Sequence, residues 1–310
     1  MPSDLPIPVF LDRADSYDAP ALARPVARLL DGAGLRPALG SHVLVKPNLV
    51  AARSASLSTT HPAVVRAACE YLLAFGAEVT VGDSPAFGTA RTVARASGLD
   101  AALAGLPVRL RSLGRPQRLG LSFGASVGVS RDALEADAIL NLPRLKAHNQ
   151  LRLTCAVKNL FGCVVGGRKA LAHCRFGDQD NRFEAMLVEV AASLPPTWSL
   201  CDAVVAMSGR GPTGGAPCRL GLLGASADAH ALDTALYAVL GATPCAVPVW
   251  QEARARGLPG AFARNLAYPL LRPGDFDPAG FILPPVLDPM TFHPLRLVKG
   301  RMKSFCQRFF

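Results

Sequence analysis

The chain has little charge, few aromatic side chains and no basic stretch interleaved with aromatic residues. Only 18% of its 310 residues are charged and 6% are aromatic, although the net charge is +10. Proteins that bind single-stranded nucleic acid combine aromatic rings, on which the bases stack, with cations that contact the backbone. The composition therefore makes nucleic acid the least favoured partner, and it favours a small anionic ligand or an anionic surface.

The eight cysteines form no CxxC pair and show none of the spacings typical of zinc fingers or ferredoxins. A ferredoxin-type iron–sulfur cluster is therefore not supported, the cofactor stays unknown, and we expect free, buried thiols. The N-terminal stretch lacks a basic region followed by an apolar one, and no run of 18 residues is free of charges and helix breakers. These absences predict a cytoplasmic protein.

Short apolar runs alternate with amphipathic stretches along the first part of the chain. Predicted strands and helices follow one another at 6–12, 19–30, 42–45, 62–75, 78–82 and 89–96. Continuous apolar strands separated by amphipathic helices are typical of a parallel sheet that is covered on both faces. The sequence therefore predicts an α/β fold with a mostly parallel sheet and helices on both faces.

The composition changes towards the end of the chain. Residues 1–245 carry the strand and helix periodicity and are predicted to form one α/β domain. Lobes at 1–135 and 136–245, with the site between them, are an alternative division. Residues 246–310 are rich in proline and arginine and are predicted to be irregular. Their basic tail, 296–310, predicts contact with an acidic protein or a membrane surface, or else a terminal helix that packs on the body.

The stretch from Asn141 to His173 contains no acidic residue and follows a predicted buried strand. Cations without a counter-charge at such a place are unfavourable unless an anion balances them. A solvated basic loop is the alternative, but the interleaved glycines and asparagines favour an anion-binding segment. Its basic side chains are Arg144, Lys146, His148, Arg152, Lys158, Arg168, Lys169 and His173.

Polar residues also follow three other predicted strands. Lys46 and Asn48 follow one strand, Asp83 and Ser84 follow the next, and the glycine-rich segment 209–215 follows a third. Because ligands bind beyond the carboxyl ends of parallel strands, we expect these residues to converge on one crevice. Lysine next to asparagine recurs at 158–159, and this pair combines a charge with oriented amide hydrogen bonds.

The segment GRGPTGG at 209–215 lacks the Gly-Lys-Ser/Thr ending of an ATP-binding loop and does not open a helix, so neither ATP nor a dinucleotide is indicated. Its backbone N–H groups predict an anion contact, and a plain turn is the alternative. The residues concerned are Gly209, Gly211, Thr213 and Gly214.

Two further features leave alternatives open. His61 precedes Pro62 at a predicted helix start, where free N–H groups favour an anion and Thr59 or Thr60 is the expected cap. His148 and His173, together with Asp83 and Asp202, have the ligand chemistry of a metal site, but their spacing matches no known signature, so we assign no metal ligand.

Six motifs in order resemble those of the DUF362 family, whose name records that its function is unknown. They are VLVKPNLV (43–50), TTHPAVVRAA (59–68), GAEVTVGDSP (76–85), the segment 139–173, MSGRGPTGGAP (207–217) and SADAHALDTALYAVLG (226–241). The resemblance implies an α/β fold over about residues 40–245. Many members carry cysteine-rich ferredoxin-like segments and are labelled iron–sulfur proteins, but this chain has no such run.

A looser likeness to the lactate racemase-like superfamily, in its use of lysine and histidine at strand ends, implies a small carboxylate substrate. Carried over residue by residue, the DUF362 resemblance marks Lys46, Asn48, His61, Pro62, Asp83, Lys146, His148, Lys158, Asn159, Gly162, Lys169, His173, Asp202, Gly209, Gly211, Pro212, Gly215, Asp228 and Asp233.

These observations predict an enzyme, of a class that stays open, that binds a small carboxylate or phosphate. The predicted catalytic side chains are Lys146, Lys158, Asp83, His148 and His173. Loss of hydration among like charges would lower the pKa of a lysine and make it a base or a nucleophile. The predicted binding residues are Lys46, Asn48, His61, Asn159, Lys169 and the glycine-rich segment. The alternative is a non-catalytic accessory protein that holds a redox centre, a metal or a cofactor.

Overall fold

The structure, a computed structural model, describes residues 5–53 and 55–291. Within these ranges it contains thirteen strands and eleven α-helices. The strands are β1 (Ile7–Pro8), β2 (Phe10–Arg13), β3 (His42–Pro47), β4 (Glu78–Asp83), β5 (Val108–Ser112), β6 (Pro116–Gly120), β7 (Ser126–Ser130), β8 (Ala138–Leu142), β9 (Arg144–His148), β10 (Arg152–Thr154), β11 (Thr197–Ser208), β12 (Ala216–Ser226) and β13 (Leu266–Ala267).

The helices are α1 (Ala19–Gly32), α2 (Ala55–Ser58), α3 (Pro62–Ala74), α4 (Ala90–Ser97), α5 (Leu99–Ala102), α6 (Arg131–Leu134), α7 (Ala156–Leu160), α8 (Arg168–Phe176), α9 (Arg182–Ala192), α10 (Ala229–Val239) and α11 (Pro248–Ala255). A short 3-10 turn, Phe161–Cys163, continues α7. In the part of the chain that the structure describes, no helix combines the length and apolar character needed to cross a membrane.

Nine strands form one sheet, in the order β10-β9-β11-β8-β3-β4-β5, with β12 paired to β11 and β2 paired to β12. The pairings of β11 with β8 and β9, of β3 with β8 and β4, and of β4 with β5 are parallel. The pairings of β12 with β11 and β2, and of β10 with β9, are antiparallel. The predicted α/β fold with a mostly parallel sheet is therefore confirmed.

Helices cover both faces of this sheet, as the continuous apolar strands indicate. Side chains alternate between the faces along a strand, so Val43 and Val45 of β3 pack in one buried cluster while Leu44 packs in another. Helices α1, α3 and α4 supply the first cluster, and α9 supplies the second through Phe183 and Met186. The polar ends of β3, β4 and β8 consequently meet between apolar layers.

The basic stretch folds differently from the sequence prediction. It contains the β9–β10 hairpin and helix α8, neither of which the sequence analysis predicted. Arg144, Lys146 and His148 alternate along β9 and therefore share one side of it, and all three are buried. A run of cations suggests exposure, so the strand pattern was not recognisable from the residues alone.

Residues after 245 contain α11 and several 3-10 turns, and their later part lies across the end of the sheet. Ile282 O accepts a hydrogen bond from Gly209 N at 2.9 Å, and Asp288 N donates to Asn149 O at 2.8 Å. The segment 282–291 therefore borders the glycine-rich segment and the turn after β9. The basic tail 296–310, predicted to contact a partner, lies outside the described residues.

Candidate functional site

A buried ion pair joins the ends of the neighbouring strands β3 and β4. Lys46 Nζ lies 2.9 Å from Asp83 Oδ1, and the two side chains are 0% and 3% exposed. The Asp83 carboxylate also accepts hydrogen bonds from the backbone N–H groups of Leu49 and Ser84, each at 2.8 Å. These contacts fix the carboxylate, so it is a rigid partner for the cations around it.

Gly162, in the 3-10 turn after α7, lies directly against this ion pair. A β-carbon at position 162 would collide with Asp83 Oδ1 and Lys46 Nζ. Only glycine therefore lets the turn approach the pair while the pair stays in place. The sequence analysis marked Gly162 through the family resemblance but gave it no role in the site.

Asparagine side chains connect the ion pair to α7 and to the next strand. Asn159 Oδ1 accepts a hydrogen bond from Asn48 Nδ2 at 2.7 Å and lies 3.4 Å from Lys46 Nζ. Asn159 Nδ2 donates to Asn141 Oδ1 at 2.8 Å. Because both ends of each amide are engaged in this way, the network orients Asn48 towards the remaining lysines.

Three more lysine side chains surround the ion pair. Lys146 Nζ donates to Asn48 Oδ1 and, at 2.9 Å, to Ser58 O. Lys169 Nζ donates to Ser84 O. Together these residues form what we call the lysine cluster: Lys46, Asp83, Lys146, Lys158 and Lys169.

Lys158 has the fewest polar contacts in the lysine cluster. Its Nζ lies 4.1 Å from the centroid of the Phe161 ring, and it makes no hydrogen bond or ion pair with any residue in the described ranges. The ring face attracts the ammonium group but leaves its N–H groups without acceptors. The Lys158 residue as a whole is half-buried.

Burial and like charges lower the pKa of three of these lysines. Burial lowers the pKa of Lys146 to about 7, and the neighbouring charge of Arg144 adds to this effect. Burial, with the charge of Lys169 next, lowers the pKa of Lys158 to about 7. Burial lowers the pKa of Lys169 to about 8, against an opposing effect of the Asp83 carboxylate. Each shift follows from loss of hydration around a cation.

The two histidines border the lysine cluster and are held by backbone groups. Gln150 N donates to His148 Nδ1 at 3.2 Å. His173 Nδ1 lies 3.2 Å from Met290 O, which can only accept, so this nitrogen carries the proton. Burial and the Lys158 charge lower the pKa of His173 to about 3 and hold the pKa of His148 well below its ordinary value.

The glycine-rich segment 209–215 packs beside the site but uses its backbone groups internally. Gly211 exchanges hydrogen bonds with Asn149, from N to Oδ1 at 3.1 Å and from Asn149 N to Gly211 O at 3.0 Å. A β-carbon at Gly211 would collide with Ala147 O. Thr213 and Gly214 are exposed, and no hydrogen bond within the described ranges connects either of them to the lysine cluster.

His61 belongs to a second buried cluster. Its ring stacks on Tyr17 with centroids 3.6 Å apart, and its backbone N donates to Asp202 Oδ2 at 2.9 Å. Arg144 NH1 lies 3.7 Å from the same carboxylate oxygen. We call these residues the arginine cluster: Tyr17, His61, Arg144 and Asp202. His61 is also the N-cap of α3, because its Nδ1 accepts a hydrogen bond from Ala63 N at 3.3 Å. The prediction that Thr59 or Thr60 caps this helix was therefore wrong.

The structure thus brings together most of the predicted site residues but not all of them. Lys46, Asn48, Asp83, Lys146, His148, Lys158, Asn159, Lys169 and His173 meet in or beside the lysine cluster. His61 lies in the arginine cluster, and Thr213 and Gly214 lie on the surface. Among the described residues, no group of three or more His, Cys, Asp or Glu side chains is placed to hold a metal ion.

The site also contains the predicted strand-end residue Ser84 and one residue, Thr154, that the sequence did not indicate. Ser84 supplies two contacts, since its O accepts from Lys169 and its Oγ accepts from Gly166 N at 3.0 Å. Thr154 lies opposite Lys146 in the β9–β10 pairing, and its buried Oγ1 has no hydrogen-bond partner among the described residues. Ser84 directly follows Asp83, a usable signal, whereas Thr154 is revealed only by the strand pairing.

The family of this chain follows from comparison with known proteins. The profile of the family described as "Domain of unknown function (DUF362)" matches residues 43–238, which include all five residues of the lysine cluster. The chain belongs to the DUF362 family. A relative from Synechocystis sp., named a thylakoid-associated protein, is 38% identical over 309 residues, 97% of this DUF362 chain and 95% of the relative. The resemblance inferred from the six motifs is confirmed.

Two solved structures are more distantly similar to this DUF362 protein. A Thermotoga maritima protein from a structural genomics consortium shares 12% identity, with a TM-score of 0.41 over 64% of this chain and 53% of that one. The lactate racemase apoprotein of Thermoanaerobacterium thermosaccharolyticum shares 13% identity, with a TM-score of 0.43 over 67% and 52%. Similarity at this level does not bear on activity.

Proposed function

We propose that this DUF362 protein is an enzyme that binds a small carboxylate or phosphate in the lysine cluster. The observation that carries the proposal is an imbalance of charge: four lysine side chains surround Asp83, which is the one acid in the cluster. Buried cations without counter-charges are unfavourable, and a bound anion removes that penalty.

We expect the anion to enter where residues of the cluster keep some exposed surface. Lys158, Lys169 and Asn48 each keep part of their surface exposed, whereas Lys46 and Asp83 are fully enclosed. The ammonium group of Lys158 has no acceptor among the described residues, so all three of its donors are available to a ligand. We therefore expect the ligand to contact Lys158 first.

The lowered pKa values give the lysines a chemistry that ordinary lysines lack. At a pKa of about 7, Lys146 and Lys158 are mixtures of ammonium and free amine near neutral pH. The ammonium form binds an anion, and the amine form accepts a proton or attacks a carbonyl carbon. His148 and His173, whose pKa values are lowered further, are neutral there, so we assign proton transfer to a lysine.

The alternative, a non-catalytic accessory protein that holds a cofactor or redox centre, gains no specific support from the described residues. A ligand set for a metal is missing from them. A membrane-surface location, suggested by the name of the Synechocystis relative, and contact with an acidic protein stay predictions, as do a cytoplasmic location and the lack of a nucleic acid partner.

Calorimetric titration tests the proposal with acetate, succinate and inorganic phosphate as probes. We expect at least one probe to bind the wild-type protein and to bind Lys158→Met at least tenfold more weakly. Arg91→Met removes one exposed cation of α4 that has no ion pair within the described ranges, and this control should bind as the wild type does.

Proton uptake gives an independent readout of the same site. A bound anion raises the pKa of the lysines around it, so binding at pH 8 takes up protons, and the measured enthalpy depends on the ionisation enthalpy of the buffer. Equal affinity of Lys158→Met and wild type, or binding without proton uptake, would contradict the proposal.

A further inference from the structure

A concavity lies on the surface between the β6–β7 hairpin and α8. Its volume is about 260 Å³. One wall comes from the two hairpin strands and the other from one face of α8. We call it the hairpin groove, and its polar lining consists of Gln117, Arg118, Ser126, Arg168 and Arg175.

The charges in the hairpin groove are all positive. Arg118, Arg168 and Arg175 line it, and no acidic residue does. None of the three guanidinium groups makes a hydrogen bond or an ion pair with a residue of the described ranges, although several other arginines of this protein do, such as Arg115 with Asp132. A single exposed arginine is ordinary, but three unpaired ones around one concavity raise its affinity for anions.

Neighbouring groups hold two of these arginines in place. A β-carbon at Gly128 would lie 2.6 Å from Arg168 Cδ, so the arginine side chain rests directly on the backbone of β7. The Arg175 guanidinium lies 5.6 Å from the centroid of the Phe176 ring. Guanidinium groups that are already positioned lose less conformational freedom when they bind a ligand.

From this arrangement we infer that the hairpin groove is a second ligand site, which binds the phosphate group of a small organic phosphate. A guanidinium group donates two parallel hydrogen bonds to phosphate oxygens, and three of them match a multiply charged group better than a single carboxylate. Leu171, which is 59% exposed, and Val127 supply an apolar wall beside the cations. The volume is at the small end for a ligand site, so we expect a compact ligand.

This site is distinct from the lysine cluster, although α8 contributes to both. Arg168, Leu171 and Arg175 lie three and four positions apart and line the groove from one face of α8. Lys169 and His173 lie on another face, where they contact Ser84 O and Met290 O. The inference therefore does not depend on the function proposed for the lysine cluster.

The test is a calorimetric titration with inorganic pyrophosphate at low ionic strength. The groove variant Arg118→Gln/Arg175→Gln leaves Arg168, the neighbour of Lys169, unchanged. The control Arg91→Gln/Arg95→Gln removes the same charge from the exposed side of α4. Lys158→Met reports binding at the lysine cluster. Circular dichroism checks that each variant is folded.

We expect the groove variant to bind pyrophosphate at least tenfold more weakly and the control Arg91→Gln/Arg95→Gln to bind it as the wild type does. Equal weakening in groove variant and control would mean that net charge alone attracts the ion, and it would overturn the inference. Loss of binding in Lys158→Met alone would place the ion in the lysine cluster and would also overturn it, while supporting the proposed function. If pyrophosphate did not bind the wild-type protein, the inference about the hairpin groove would also be overturned.

Discussion

The lysine cluster and the arginine cluster both contain buried cations, but they differ in how their charges are balanced. Arg144 faces one carboxylate, Asp202, and its guanidinium also donates to Thr59 O at 2.9 Å and Val205 O at 2.6 Å. Asp202 Oδ1 in turn accepts from Tyr17 Oη at 2.8 Å. One cation meets one anion, and the remaining donors have acceptors, which is what a structural element requires.

The lysine cluster has the opposite balance. Asp83 balances the charge of Lys46. Lys158, in contrast, has neither an acidic partner nor a hydrogen-bond acceptor among the described residues. Burial alone therefore does not mark a ligand site in this protein. What distinguishes the two clusters is whether the folded chain supplies the counter-charge itself or leaves it, as we propose, to a ligand.

The largest expected effect comes from breaking the balanced cluster. Arg144→Met leaves Asp202 without its cation, and removing one partner of a buried pair lowers the free energy of unfolding by about 3–5 kcal/mol. Urea unfolding followed by circular dichroism measures this loss. Arg91→Met, on the exposed side of α4, should change the value by less than about 0.5 kcal/mol. A loss of similar size in both variants would contradict the structural role of Arg144.

A smaller loss is expected from Gly162→Ala. The added methyl group would collide with the Lys46–Asp83 pair, and overpacking of this kind lowers the free energy of unfolding by about 1–3 kcal/mol. Gly98→Ala is a poor control because its φ is positive, whereas Gly120 has a non-positive φ and open space around its Cα. Gly120→Ala should therefore be close to neutral. Equal stability of Gly162→Ala and Gly120→Ala would show that the turn does not press on the ion pair.

Lys158→Met should act in the opposite direction from Arg144→Met. It replaces an uncompensated cation with an apolar side chain of similar length, which we expect to raise the free energy of unfolding by about 1 kcal/mol at pH 7 without ligand. The same urea measurement applies, with Arg91→Met as the control. Destabilisation by more than about 1 kcal/mol would mean that Lys158 is a structural residue, as Arg144 is, and the contrast between the clusters would fail.

The last difference that we expect is in pH dependence. The pKa of Lys158 is about 7 in the folded protein, and an unperturbed lysine titrates at about 10.4. Between these values the unfolded chain holds a proton that the folded protein has lost, so stability rises with pH. Urea midpoints at pH 7, 8 and 9 should therefore rise more steeply for wild type than for Lys158→Met. Parallel lines for the two proteins would contradict the lowered pKa.

The strand ends were the part of the site that the sequence predicted well. Apolar runs that end in Lys46, Asp83 and Asn141 indicate buried parallel strands, and such strands bring their carboxyl ends to one edge of a sheet whatever the details of packing. Local pattern suffices there because the strand, its burial and its polar end are contiguous in sequence.

The charge balance, in contrast, was not predictable from local pattern. Tyr17 reaches Asp202 across 185 positions, so nothing near either residue indicates that the arginine cluster is satisfied. Helix α8 was not predicted because its basic residues lie on two different faces, one lining the hairpin groove and one at the lysine cluster. The sequence therefore lacks the alternation of one apolar and one polar face that indicates an amphipathic helix. His61 was assigned to the anion site for its place before a helix, and only the tertiary structure shows its stacking on Tyr17.

The position of the segment 282–291 has a consequence for synthesis. Met290 O holds His173, and Asp288 pairs with Asn149, although more than a hundred residues separate the partners in each case. Domains begin to fold while the ribosome still extends the chain. A nascent chain that has emerged only to residue 270 thus contains every lysine of the cluster but neither Asp288 nor Met290. His173 and Asn149 gain these partners only after the rest of the chain has been synthesised.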